Sequence, residues 1–377
     1  MSRRIGYLGP AGTFSEEAAA RRAKSGGETM PCSSLEAVFA GLAGGRLDEG
    51  VIPVENSIEG GVGAALDLLA TSEDLSITGE ILLPVEQALL ALPGSGIRQI
   101  RQVLSHPQAL AQCRGYLNSV LPGAETLETS STAEAARLVA ASDGSRAAVG
   151  PIRAAALYGL KVLATGINDC RENVTRFLVV SGETDPAVSP GMAKTSIVIW
   201  IADRPGALHD ILREFTLAGL NLTRIESRPA KKRLGDYLFF IDFIGHRSDP
   251  VVQRALDNIT RQSLRLKVLG SFTAAGREGG AASGPVHTLA GLRADIDAVD
   301  DQLVDLLARR AVLADRIGSL KQAPRKIRDL SREEQLLARV RQMSEERGVD
   351  PELVVEIYRL VIGYSVARQE QVLAGGK

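Results

Sequence analysis

The chain predicts a multidomain protein with three architectures in succession: an α/β segment, a βαββαβ segment and an all-helical segment. Three observations carry this. Short apolar runs alternate with helical patterns over residues 1–182. A strand-helix-strand-strand-helix-strand order follows over 192–275, and strand patterning disappears over 286–377. The divisions fall at two composition breaks, SGETDPAVSPG (181–191) and AAGREGGAASGP (274–285), whose Pro, Gly, Ser and Ala content marks connectors.

Composition narrows the function class. With 45% hydrophobic and 24% charged residues, the 377-residue chain has the make-up of globular domains. A formal net charge of -1 supplies no field to recruit nucleic acid or an acidic membrane. No run approaches the ~20 apolar residues of a membrane span, and the opening MSRRIGYLGPAGTF lacks the apolar core of a secretory signal. Cys32, Cys113 and Cys170 lie outside any CxxC pair. The expectation is a cytoplasmic protein with inert thiols and no metal site.

In the first segment, residues 5–8, 49–54 and 147–149 read as strands and 15–22 and 133–141 as helices. That alternation suggests a parallel sheet. The polar clusters GPAGTFSE, PVENSIEGGVG, SHPQALAQC and NVTRF fall in its loops. Gly6, Gly9 and Gly12 do not fit the G-x-G-x-x-G spacing of a nucleotide loop. The glycine-rich stretches before residues 14 and 63 suggest helix N-termini that hold a carboxylate, or ordinary caps. Asn173-Val174-Thr175 fits the glycosylation acceptor pattern, which the cytoplasmic expectation disfavours.

The middle segment reads strand 195–201, helix 205–218, strands 220–227 and 236–244, helix 251–262 and strand 267–272, a ferredoxin-like layout. The last segment opens with a seam of Leu289, Leu292, Ile296, Val299, Leu303, Leu306, Arg310, Leu313, Ile317 and Leu320. Its 3,4 spacing is that of a long packing helix, and Arg310 interrupts it. A charge among leucines has a partner or holds a ligand. Lys321 returns within about 20° of the Arg310 face, whereas Arg293 lies about 100° away. Asp329, Arg332 and Glu333 share one face of the next helix, and Ser365 and Gln369 continue the i+4 row of Ile357 and Val361. Three helices thus carry cationic and hydrogen-bonding groups where a bundle wants hydrophobes, which suits a compact dicarboxylate.

This last segment resembles the all-helical chorismate mutases from 289 to about 373, through LRADID, LLARR, IRDLSREEQLL and YSVARQ. The resemblance implies an intertwined dimer and a pericyclic rearrangement of chorismate to prephenate without a cofactor. It implies Arg310 and Arg332 on substrate carboxylates, Arg293 reaching in from a second copy, and Lys321 and Gln369 on the ether oxygen. Asp329 and Glu333 would meet the hydroxyl region and Ser365 a carboxylate.

GYLGPAGTFSEEAA, IPVENSIEGGV, SHPQALAQC and NVTRFLVV resemble, in order, four signature blocks of the prephenate dehydratases. The implied fold has two α/β lobes, like a periplasmic binding protein, with the site in the cleft. The resemblance implies Thr175 as the catalytic hydroxyl and Asn56, Ser105 and Gln112 along the substrate site, with Ser57, Arg176 and Phe177 as neighbours. Ser105, just before Pro107, also reads as a helix cap, and Arg176 also reads as a surface ion pair.

RPGALHDIL and LTRIESRP resemble the phenylalanine-binding motifs of ACT domains, through Gly206, Ala207, Leu208, Asn221, Glu226, Ser227, Arg228 and Pro229. They imply feedback inhibition by Phe and a homodimer or larger assembly. The mutase usually comes first in the bifunctional enzymes; here it comes last. Two other readings are an arogenate-using dehydratase and a non-catalytic amino-acid sensor. Leucine at 310 and alanine at 175 would have favoured the sensor.

Overall fold

The structure, a computed structural model, describes residues 2–375 apart from 25, 171, 183–192, 231–236, 276–288 and 321–327. Lys321 and most of both composition breaks therefore lie outside the described residues. The chain divides into two compact units, Met1–Gly284 and Pro285–Lys377.

The first lobe is built from β1 (Arg3–Leu8), α1 (Phe14–Ala23), β2 (Gly27–Cys32), α2 (Leu35–Ala43), β3 (Glu49–Asn56), β4 (Gly60–Gly61), α3 (Gly63–Thr71) and β5 (Ser76–Pro84). The chain then crosses to a second lobe of β6 (Ala88–Ala91), β7 (Gln102–Ser105), α4 (Pro107–Gln112), α5 (Arg114–Val120), β8 (Glu125–Glu128), α6 (Thr132–Ala140), β9 (Arg146–Gly150), α7 (Ile152–Tyr158) and β10 (Lys161–Thr165). It returns as β11 (Val174–Ser181), which inserts between β3 and β5.

The sheets run β2-β1-β3-β11-β5 and β10-β6-β9-β7-β8. The expected parallel arrangement is half right. β1 pairs in parallel with β2 and β3, but β11 is antiparallel to both its neighbours, as β6 is to β9 and β10. A strand arriving from the opposite lobe enters from the other end, and periodicity cannot report that. The crossings are tied by Asn168, whose Oδ1 accepts from the Gln87 amide at 2.7 Å and whose Nδ2 donates to the Val85 carbonyl at 3.1 Å.

The ferredoxin-like order is present: β12 (Ala193–Trp200), α8 (Ala207–Leu217), β13 (Leu222–Pro229), β14 (Tyr237–Ile244), α9 (Pro250–Gln262) and β15 (Arg265–Thr273), in the antiparallel order β13-β14-β12-β15. Period-2 alternation gives this sheet two apolar faces. Ile197, Ile199, Ile241 and Phe243 pack under α8 and α9 with Ile211, Phe215 and Ile259. Val198, Phe240 and Phe272 instead join Val38, Ile52, Leu66 and Leu178 of the first lobe in one core. Each such buried side chain contributes about 1.5–3 kcal/mol. That shared core is why two sequence segments fold as one unit.

The second unit consists of α10 (Leu289–Leu320), α11 (Leu330–Arg347) and α12 (Pro351–Gly375), with α12 packed on both others. Gly318 permits close approach, since a Cβ there would lie 3.2 Å from the Gln369 Cα.

Candidate active sites

The two lobes of the first unit enclose a cleft of about 400 Å³. Its floor is the end of β3 and the start of β11, where Asn56 and Thr175 sit opposite each other in register. The buried Asn56 carboxamide donates to Thr175 Oγ1 at 2.9 Å and to Asn173 Oδ1 at 2.8 Å, while its Oδ1 accepts from the amides of Ile58 and Glu59. Because the Thr175 oxygen accepts from Asn56, its O–H remains the donor for a molecule in the cleft.

Asn173 is 1% exposed and spans the lobes: its Nδ2 donates to Gln112 Oε1 at 3.1 Å on α4. That burial disposes of the glycosylation reading. It also puts Asn173 beside Asn56 and Gln112, a position the N-x-T pattern does not predict.

The cleft wall includes the start of α1 (Thr13, Phe14, Ser15), the start of α6 (Ser131, Thr132), and Gln87, His106 and Gln108. Thr13 and Ser131 cap those helices, accepting from the amides of Glu16 and Glu134. Both helix starts carry partial positive charge suited to a carboxylate. The Gly12 backbone, at φ +86°, lies against Leu157, Tyr158 and Ala133 of the opposite lobe. Gly6 faces Leu47, so these glycines serve packing. The other glycine-rich stretch, Gly60–Gly63, does not line the cleft. A Cβ on Gly61 or Gly63 would overlap Glu226 or Arg228 of β13.

Among the lining residues His106 is the one ordinarily titratable side chain. Its Nδ1 accepts from the Gln108 amide at 3.3 Å and caps α4, which assigns the neutral ring proton to Nε2. Gln87 is 3% exposed and its Oε1 has no partner. Neither residue was singled out from sequence.

Ser105, expected along the substrate site, and the three expected neighbours lie outside the cleft lining. Ser105 is fully buried and donates to the Val149 carbonyl at 2.6 Å, so it is neither the α4 cap nor part of the cleft lining. Phe177 is a core residue packed with Ile5, Tyr7 and Leu83. Ser57 ties the β3–β4 turn to β11, donating to the Glu172 carbonyl and accepting from the Val174 amide. Arg176 is buried rather than at the surface, with Nε on Glu80 at 2.7 Å and Nη1 on Asp242 at 2.5 Å. Burial pulls its pKa down, but the Asp242 and Glu80 charges outweigh that and leave it raised.

In the ferredoxin-like part, Gly206 (φ +83°) sets the start of α8, followed by buried Ala207 and half-buried Leu208; Asn221 precedes β13. Ser227 and Pro229 are exposed. Glu226 and Arg228 are engaged with neighbours: Glu226 pairs with Arg224, and Arg228 pairs with Asp67 of α3 at 2.9 Å.

In the second unit Arg310 is half-buried and donates to the Val361 carbonyl at 3.1 Å and to Ser365 Oγ. Ser365 and Gln369 are buried on the same α12 row. The polar interruptions of the seams thus meet on facing helices. Asp329 is the α11 cap, accepting from the Arg332 amide at 3.0 Å, rather than a member of a helix face. Glu333 pairs with Arg328 at 3.1 Å, and Arg332 and Arg293 are exposed.

A two-lobed cleft, a ferredoxin-like sheet and a helical bundle with polar seams make a multidomain protein, and known families match these parts in that order. Family models match for prephenate dehydratase over residues 5–185, the ACT domain over 195–261 and chorismate mutase type II over 292–370. A bifunctional chorismate mutase/prephenate dehydratase of Aquifex aeolicus is 42% identical over 270 residues, 71% of this chain and 73% of that protein. Among solved structures, a prephenate dehydratase of Arthrobacter aurescens in complex with L-Phe has 36% identity and a TM-score of 0.68. It covers 80% of this chain and 99% of that one. GqqA, described as a novel type of quorum quenching acylase, has 33% identity and a TM-score of 0.67 over 73% of this chain and 100% of that one. The chain belongs to the bifunctional chorismate mutase/prephenate dehydratase family.

Proposed function

We propose that this chain, with domains at 1–182, 192–275 and 286–377, converts chorismate through prephenate to phenylpyruvate, with Thr175 as the dehydratase proton donor. The observation that carries it is the Asn56–Thr175 hydrogen bond at the floor of a cleft whose lining holds no carboxylate. Prephenate needs no base. Breaking the bond to its ring carboxylate releases carbon dioxide and delivers an electron pair to the ring, and the ring hydroxyl leaves as water on the proton given by Thr175, whose Oγ1 regains one from solvent. Aromatisation drives the step; the obstacle is a poor leaving group, which a positioned hydroxyl donor relieves. Asn56, by donating to Thr175 Oγ1, makes that O–H a better donor. The helix starts at Thr13 and Ser131 suit the substrate carboxylates, with Gln112 beside them. Acylase chemistry on this fold needs an activated nucleophile, and fold alone does not decide function.

For the mutase, Arg310, Ser365 and Gln369, with Lys321, would hold the compact conformer and place positive charge at the breaking ether bond. Arg332, Asp329 and Glu333 would complete the site, with Arg293 entering from a second copy. The support for a homodimer or larger assembly is the apolar stripe of α10: Ile296, Val299, Leu303, Leu306, Leu313 and Ile317 are each about half exposed. Phe would bind at Gly206–Leu208, Asn221 and Ser227, by analogy with the L-Phe complex of the relative. No helix among the described residues is long and apolar enough to cross a membrane, and we place the enzyme in the cytoplasm.

Purified protein given chorismate alone should form phenylpyruvate, and Thr175→Ala should stop at prephenate. Unconsumed chorismate would remove the mutase reading. Accumulated prephenate with the native chain would point to arogenate as the dehydratase substrate.

A further inference from the structure

The paired strands β3 and β11 carry two adjacent couples in register: Asn56 with Thr175, and Glu55 with Arg176. Side chains alternate across a strand, so successive couples leave by opposite faces. The first couple meets the cleft. The second meets the ACT sheet: Arg176 Nη1 lies 2.5 Å from Asp242 on β14, and Arg224 on β13 reaches Glu55 at 3.2 Å. Asp242 also accepts from Ser196 Oγ at 2.5 Å, and Glu80, beneath Arg176, takes Lys194 at 2.6 Å. Asp242 and Arg224 are themselves cross-strand partners in the ACT sheet.

This lattice is a poor way to glue two surfaces. Buried ion pairs rarely stabilise more than the apolar residues that could replace them. Here Arg176 additionally buries Nη2 without a partner, at a cost in free energy. The surrounding core already joins the two sheets through Val198, Phe240 and Leu178. What ion pairs supply and hydrophobes do not is a fixed direction and register.

We propose that Arg176 and Glu55 are positioning residues for the dehydratase reaction, fixing Thr175 and Asn56 from behind and themselves set by Asp242 and Arg224 of the ACT sheet. The proposal rests on the assignment of Thr175. β13 carries both Arg224 and the ESRP motif, so a ligand that shifts this strand moves the two reacting side chains through a single residue step on each.

The test uses the full chain with Glu55→Gln, Asp242→Asn, the conservative Glu55→Asp, and Thr175→Ala for reference. Dehydratase turnover in Glu55→Gln and Asp242→Asn should fall about 10- to 100-fold, as a misplaced reacting group does. The KM for prephenate should stay within about twofold. Mutase turnover should be unchanged and the Phe concentration giving half inhibition should shift about tenfold. The unfolding midpoint should hold in Glu55→Gln, whose carboxylate is partly exposed, and fall in Asp242→Asn, which leaves the buried Arg176 with one anion fewer. Glu55→Asp should recover part of the turnover. Native turnover and native Phe response in both variants overturns the proposal, as does a loss in Glu55→Gln that tracks a collapse of the unfolding midpoint. Turnover persisting in Thr175→Ala overturns the site assignment as well, and is distinguished by that variant alone.

Discussion

Asn173 shows how much one buried carboxamide can organise: it accepts from Asn56 in one lobe and donates to Gln112 in the other. Gln87 has the opposite character, a buried carbonyl without a partner on the cleft wall. Substrate supplies what the protein withholds, so Gln87→Leu should raise the KM for prephenate about tenfold, the worth of a ~1.4 kcal/mol hydrogen bond. Its thermal midpoint should hold or rise, because the unsatisfied group is gone; a lower midpoint with native KM would refute this. In the second unit, Arg310→Ala should cost the mutase at least ~100-fold, the worth of a preorganised donor, with helix content by circular dichroism unchanged. Motif and broken pattern mark Thr175, Asn56 and Gln112, which line the cleft, and Arg310, which meets Ser365 on the facing helix. Arg176 and Phe177, from the same motif, are buried away from the cleft lining, since a motif cannot say which face of a strand each member takes. Cys113 follows its expectation: burial pushes its thiol up to about 12.

Among elements, α1 and α7 are tied across the lobes by Arg153 and Glu16, 2.8 Å apart. The Arg153 hydrogen bond holds the Glu16 carboxyl below its ordinary value, burial opposes it, and the Gly12 amide assists. A carboxyl with a lowered folded-state pKa contributes stability that is present above its unfolded value and lost as pH falls through the folded one. The contact should therefore be at full strength at neutral pH and fade below about pH 4. Glu16→Gln should raise the KM for prephenate at pH 7, and its difference in thermal midpoint from the native chain should vanish in acid; a constant difference would exclude the mechanism. Element types and their order were legible because hydrophobic period and cap residues are local. Strand direction was not, because β11 pairs with β3 and β5 only after a detour through the other lobe.

For the whole molecule, the division at 284/285 matters more than the three-part reading of the sequence. Residues 1–284 share a core between lobe and ACT sheet, so that piece alone should keep dehydratase turnover and its response to Phe. A shorter piece ending at residue 182 should aggregate, because removing the sheet bares Leu66, Leu178 and the charged Arg176 and Glu80. Sedimentation and a turnover assay on both pieces decide this. Shared core was invisible to composition, which saw only a Pro- and Gly-rich break at 181–191.

The two-residue repeat of β3 and β11 has a consequence for how this gene can vary. Substitutions at 55 and 176 change only ion pairs, but a single codon inserted or deleted between 54 and 56, or between 174 and 176, short of the register shift at Arg176/Phe177, exchanges front for back. It would turn the ionic couple into the cleft and bury the reacting hydroxyl against the regulatory sheet. Length variation in these two short windows should be lethal to dehydration in a deletion-insertion scan, while the Pro-, Gly-, Ser- and Ala-rich stretches of sequence at 181–191 and 274–285 should accept it.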